Sequence, residues 1–131
     1  MNRKCVLIVD DNEANRTMYV VALRHFGYRV VEACDGESAV EVAVAEQPDV
    51  ILMDLQMPNV NGFQATERLK ARQDTAAIPV IALTGLAMSQ DRAMAFAAGC
   101  DDYYAKPLQP RRLAEVLAKW LGRKDVPEDA R

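Results

Sequence analysis

The chain has 131 residues, 16 of them basic and 19 acidic, for a formal net charge of −3, and half of it is hydrophobic. That composition fits one soluble globular domain large enough to fold without a disulfide or metal staple. No apolar run approaches the roughly 20 residues of a membrane helix, and a mildly acidic balance offers no basic face to nucleic acid.

Short β-branched runs alternate with helical stretches five times. Val6-Leu7-Ile8-Val9 is continuously apolar, as expected for a strand buried on both faces of a parallel sheet. Asn12 can cap a helix running to about Phe26, with Met18, Val21, Ala22 and Phe26 as its apolar side and Gly27 as its stop. A second strand is predicted over Tyr28 to Ala33. The helix after Gly36 aligns Ala39, Val40, Ala43 and Val44 and ends at Pro48. Val50-Ile51-Leu52-Met53 forms the third strand; Pro58 and Gly62 then punctuate a loop before a helix from about Phe63 to Arg72. Val80-Ile81-Ala82-Leu83 is the fourth strand, followed by a helix from near Ser89 to Ala98 that stops at Gly99. Asp102 to Ala105 reads as the fifth strand. Pro110 suits the first position of a last helix, where Leu113, Val116, Leu117 and Trp120 share one face and make Trp120 a core anchor. His25 reads as a surface or packing residue, and Met18, Met88 and Met94 as core filler.

Five strand-helix units in one chain predict an open, doubly wound α/β sheet with helices on both faces. No composition shift or repeat marks a second domain, so residues 1–122 form the domain and 123–131 a charged, frayed tail. Three cysteines, Cys5, Cys34 and Cys100, lack C-x-x-C spacing. They speak against a disulfide framework and a zinc site and for a reducing cytoplasm.

In such sheets, ligands bind beyond the carboxyl ends of the strands. Strand one delivers Asp10 and Asp11 there, strand three Asp54, strand four Thr84, and strand five Lys106 followed by Pro107. Strand two ends in Cys34-Asp35-Gly36, an ordinary turn, and Asp101-Asp102 reads as a solvated one. One aspartate after a strand is most simply a helix cap. Three converging carboxylates repel one another and must be partly protonated or share a cation. Oxygen-only ligands with a solvated position suit Mg²⁺. A lysine and a hydroxyl beside the ion complete a site for a phosphoryl group. Gly85 alone is no glycine-rich phosphate loop, which disfavours nucleotide binding.

The stretches V-L-I-V-D-D-N, D-V-I-L-M-D-L-Q-M-P-N-V-N-G-F, I-A-L-T-G and D-Y-Y-A-K-P-L together resemble the receiver domains of two-component response regulators, over about residues 4 to 121. The resemblance implies a flavodoxin-like (βα)5 fold with a five-stranded parallel sheet of order 2-1-3-4-5. It implies that Asp54 is the phosphoacceptor, attacking a phosphohistidine of a sensor histidine kinase or histidine phosphotransfer protein. Asp11, Asp54 and the backbone carbonyl of Gln56 would coordinate Mg²⁺, and Asp10 would hold it through water. Thr84 would bond a phosphoryl oxygen, and Lys106 would pair with the acceptor, its bond to Pro107 being usually cis. Tyr103 matches the aromatic switch position by its spacing to Lys106, while Tyr104 points to the opposite face. Gln56 and Leu86 fall at positions that tune hydrolysis, and Met57-Pro58 shapes the loop.

Alternatives fit less well. An aspartate-based phosphohydrolase places D-x-D on the first strand and carries a cap insertion, whereas here the first strand ends D-D-N. A non-phosphorylated pseudo-receiver would not need Asp10, Asp11, Asp54, Thr84 and Lys106 together. No effector motif follows residue 122, so the expectation is a stand-alone receiver acting through protein contacts, with a receiver segment of a hybrid histidine kinase or larger regulator as the other reading. A phosphorylation-dependent dimer through the last two helices stays open.

Overall fold

A computed structural model describes residues 3–57, 61–85, 89–106 and 108–122. Its elements in chain order are β1 (Cys5–Val9), α1 (Glu13–His25), β2 (Arg29–Ala33), α2 (Gly36–Glu46), β3 (Val50–Asp54), α3 (Gly62–Ala71), β4 (Val80–Thr84), α4 (Ser89–Ala98), β5 (Asp102–Ala105) and α5 (Pro110–Leu121). All strand pairs are parallel, in the order β2-β1-β3-β4-β5. This is the flavodoxin-like α/β fold expected. Among the described residues, no helix is long and apolar enough to cross a membrane.

Every residue of β1, β3 and β4 is buried, which explains their unbroken apolar runs. Alternation along each strand divides the core in two. Val6, Ile8, Val50, Leu52, Ile81 and Leu83 face α1 and α5, where Tyr19, Val20, Leu23, Leu113, Val116 and Leu117 meet them. Leu7, Val9, Ile51, Met53, Val80 and Ala82 face α2, α3 and α4, whose Ala39, Ala43, Ala65 and Ala95 permit close approach. Each fully buried Leu or Ile contributes about 1.5–3 kcal/mol.

Local signals set the helix starts. The side chains of Asn12 and Asp35 accept from the backbone N–H groups of Asn15 (2.9 Å) and Ser38 (2.7 Å), and Asn61 and Gln64 exchange bonds in a capping box. Asp35 is therefore the cap of α2 and not merely a turn residue.

Four sequence expectations change. The buried stripe of α1 is Tyr19, Val20 and Leu23, continued by Phe26; Met18 and Val21 are 49% and 64% exposed. Met94 is likewise exposed, so neither methionine is core filler, while Met88 lies outside the described residues. Trp120 sits half-buried at the rim of the core and donates from Nε1 to Asp102 Oδ2 at 3.1 Å. Finally, the acidic pair before β5 is no simple solvated turn. Asp101 Oδ2 accepts from Val80 N and from Lys70 Nζ, each at 2.8 Å, and Lys70 also donates to the carbonyls of Ala76 and Ile78. The ammonium thereby ties α3 to the turns that lead into β4 and β5.

Candidate functional site

The sheet delivers its polar residues to one edge. Asp10 follows β1, Asp54 closes β3, Thr84 closes β4 and Lys106 follows β5. Every hydrogen-bonding group of Asp10 is held. Its N–H donates to Ala33 O at 3.2 Å, and its carbonyl accepts from Arg16 Nη1 at 2.7 Å. Its Oδ1 accepts from Asn12 N at 2.9 Å and its Oδ2 from Lys106 Nζ at 2.7 Å. Asp54 Oδ1 accepts from Gln56 N at 3.0 Å, and Asp54 Oδ2 lies 3.3 Å from the same lysine nitrogen. Carboxylate oxygens of Asp10, Asp11 and Asp54 all fall within 4.8 Å of one another. Asp10 and Asp54 are 1% and 3% exposed, whereas Asp11 opens to solvent.

Burial dominates the electrostatics. Desolvation pushes the Asp54 carboxyl from 3.8 to about 6, against the opposing pull of the Gln56 N–H and the Lys106 charge. For Lys106, burial alone would lower the ammonium's pKa. The hydrogen bond to Asp10 and the charges of Asp54 and Asp10 outweigh it and hold the pKa above its ordinary value. A lysine locked in its charged form thus bridges two buried carboxylates, one of which titrates near neutrality.

Two close approaches shape the rim. A Cβ on Gly62 would stand 2.3 Å from the Asp54 carbonyl oxygen and 2.7 Å from Leu55 Cα, both backbone atoms that cannot step aside. The start of α3 therefore packs directly on the Asp54–Leu55 peptide. Gly62→Ala is expected to destabilise the protein by about 2 kcal/mol or more. Urea unfolding of the variant beside wild type checks this; equal midpoints would show that α3 can slide away. Across the cleft, Gln56 Oε1 accepts from Gly85 N at 3.2 Å and links the loops after β3 and β4.

Thr84 is fully buried, and its carbonyl accepts from Lys106 N at 2.8 Å, so the two residues arrive side by side. Tyr103 packs half-buried on the α4 side of the sheet. Burial chiefly raises its pKa, the charge of Asp91 adding to this and that of Arg92 opposing it. Tyr104 turns to the other face as alternation requires, with Arg112 5.2 Å above its ring. His25, on α1, is exposed. Pro58, Leu86 and Pro107, with the expected cis bond, lie outside the described residues, as does the 123–131 tail. Sequence reasoning passed over Arg16 and the role of Gly62. A basic residue in the opening turns of a helix that begins beside two aspartates was the available signal for Arg16; nothing local signals which backbone Gly62 will touch.

Comparison with known proteins agrees with this arrangement. The family model for the response regulator receiver domain matches residues 6–118. The polar-differentiation response regulator DivK of Brucella ovis is 37% identical over 119 residues, covering 91% of this chain and 97% of that protein. The sensor protein GacS of Pseudomonas syringae pv. syringae is 40% identical over 120 residues; the match covers 89% of this chain but only 13% of that much longer protein. Among solved structures, the receiver domain of sensor histidine kinase PA1611 from Pseudomonas aeruginosa PAO1 superimposes with a TM-score of 0.86 at 38% identity, over 93% of this chain and 100% of that one. It was crystallised with a magnesium ion coordinated in its active site cleft. The chain belongs to the response regulator receiver domains of two-component signalling.

Proposed function

We propose that Asp54 is the phosphoacceptor of this receiver, taking a phosphoryl group from a phosphohistidine on a sensor histidine kinase or histidine phosphotransfer protein in the cytoplasm. The observation that carries the reading is the meeting of three carboxylates within 4.8 Å, two of them bridged by Lys106 at 2.7 and 3.3 Å. A carboxylate oxygen of Asp54 forms the new O–P bond while the P–N bond to the imidazole breaks, leaving an acyl phosphate and a freed histidine. The transition state is loose, so positioning and charge neutralisation supply most of the catalysis. Lys106 stands where an equatorial oxygen gains charge, and Thr84 adds a hydroxyl.

The donor set fits Mg²⁺. It is all oxygen, it carries more negative charge than Lys106 offsets, and Asp11 keeps one side solvated. Asp11, Asp54 and the backbone carbonyl of Gln56 would hold the ion directly and Asp10 through water. When bound, it supplies neutralisation of phosphoryl charge. The domain acts as a signalling acceptor, with self-phosphorylation from small donors and hydrolysis of its own acyl phosphate as accompanying activities. Added negative charge at Asp54 would draw Thr84 inward and turn Tyr103 between α4 and β5, converting phosphorylation into a change of surface.

Incubation with Mg²⁺ and acetyl phosphate or phosphoramidate should add one phosphoryl mass to the intact protein. Asp54→Asn should add none, and neither should wild type in excess chelator. An unchanged mass in the wild type overturns the reading.

A further inference from the structure

We infer that Arg16 is a positioning residue for the acidic pocket, acting through the peptide that joins Asp10 to Asp11; the inference rests on the Mg²⁺-dependent reading of that pocket given above. Arg16 lies on α1 one turn past the Asn12 cap, with its backbone N–H donating to Asn12 O at 2.9 Å. Near the positive end of a helix, a cation gains nothing from the backbone dipole, where an acid would. Departures from a local rule concentrate at functional sites. Here the side chain folds back against the chain. Nη1 donates to the Asp10 carbonyl at 2.7 Å, and Nε donates to Glu32 Oε1 on β2 at 3.1 Å. The side chain is only 17% exposed, so this is a held geometry and not a passing surface contact.

The bonded carbonyl belongs to the Asp10–Asp11 peptide. Asp10 has three further anchors, through Ala33 O, Asn12 N and Lys106 Nζ, and would keep its place without the arginine. Asp11 differs. Its carboxylate stands exposed at the mouth of the pocket, and its direction is set by the orientation of the peptide that Arg16 grips. The arginine therefore determines where the most loosely held of the three carboxylates points. Glu32 holds the guanidinium in turn, which links β2, a strand that contributes no carboxylate to the pocket, to the position of Asp11.

Charge and grip predict opposite signs, which makes the inference testable. A guanidinium beside an acidic pocket repels a divalent cation, so removing it for charge reasons alone would tighten metal binding. Removing the grip would loosen it. Arg16→Met keeps the apolar stem and deletes every side-chain donor; Arg16→Lys keeps the charge on a single donor nitrogen and loses the fork. The probe is Mn²⁺, an oxygen-preferring ion, followed by the loss of its free signal in electron paramagnetic resonance, with Mg²⁺ as competitor. Metal-free melting curves run alongside report the fold. Arg16→Met is expected to bind Mn²⁺ about tenfold more weakly, the scale of losing a partner that orients a metal ligand. Arg16→Lys is expected to fall between the two, about threefold weaker than wild type. Binding by Arg16→Met that equals or exceeds wild type overturns the inference, as does a lysine variant no better than the methionine one. Should Arg16→Met not fold, the lysine variant decides alone, and affinity equal to or above wild type overturns it. Wild type that takes up no Mn²⁺ overturns the metal-site reading itself, an outcome distinct from the others.

Discussion

Replacing Lys106 with methionine is expected to cost the metal-free protein about 3–5 kcal/mol at neutral to alkaline pH, the usual penalty for stripping the partner from a buried charge. Its ammonium bridges Asp10 and Asp54, which are almost completely buried, and Asp11 adds a third negative charge within 4.8 Å. Against a typical total stability of about 5–15 kcal/mol, that loss is severe. It should also depend on pH in one direction. Asp54 already titrates at about 6 with the lysine in place, and without it the carboxyl will hold its proton to higher pH still. Acidification therefore neutralises the uncompensated charge, and the gap between wild type and Lys106→Met should narrow from about pH 8 to about pH 5. Urea unfolding in chelator at the two values checks this. A gap that stays constant would mean that the lysine stabilises by packing of its stem and not by charge. Mg²⁺ should recover part of the loss in the variant, since the divalent ion can take over the neutralising role.

The positions of Asp10, Asp54 and Thr84 were legible in the sequence for a physical reason, whereas Lys106 follows the half-buried β5 and was placed by the D-Y-Y-A-K-P-L stretch. A strand buried on both faces must be continuously apolar, so its end is marked by the first polar residue, and in a parallel sheet all those ends lie on one edge. β1, β3 and β4 gave this signal without ambiguity. The α1 helix did not, because it carries two overlapping apolar stripes. Met18, Val21 and Ala22 form one, and Tyr19, Val20 and Leu23 the other. Periodicity cannot rank them; the choice is made by the core, where the buried Tyr19 hydroxyl also accepts from Leu108 N at 3.3 Å. The same limit hid Lys70 and Asp101, which meet across 31 positions of sequence, and the contact of Gly62 with the Asp54 peptide. Asp101 and Asp102 looked solvated because paired acids usually are. Of their actual partners, Val80 N comes from the neighbouring strand and Lys70, Lys119 and Trp120 from helices distant in sequence, while Tyr104 lies two residues from Asp102 on β5 itself. Motif residues were thus readable, and the contacts that orient them were not.

Asp54→Asn should make the metal-free protein more stable at neutral pH while removing the carboxylate proposed to accept the phosphoryl group. In the folded state the Asp54 carboxyl titrates at about 6, against an ordinary value of 3.8. Folding therefore favours its protonated form. The stability that this proton confers is complete below about pH 4, declines as pH rises towards 6, and is lost above. That separation corresponds to about 3 kcal/mol of net cost carried by the ionised Asp54 carboxylate. Asparagine removes the charge and keeps an oxygen for the Gln56 N–H, while Lys106 retains its 2.7 Å bond to Asp10. The value of about 6 already includes the pull of Lys106 on the carboxylate, so the net stabilisation at about pH 7.5 is expected to be about 1–3 kcal/mol. The variant should also lack the contribution that this group is expected to make to the pH dependence between about pH 4 and 6. Urea midpoints in chelator across that range test both statements; a variant less stable than wild type at pH 7.5, or one with the same slope, overturns them. Saturating Mg²⁺ should then reverse the order. A ligand that binds only the folded state adds about 2.7 kcal/mol at a hundredfold excess over its Kd, and the variant has lost one of the carboxylates proposed to hold it. The acceptor would thus be a residue that opposes folding when the pocket is empty and favours it when the ion is bound.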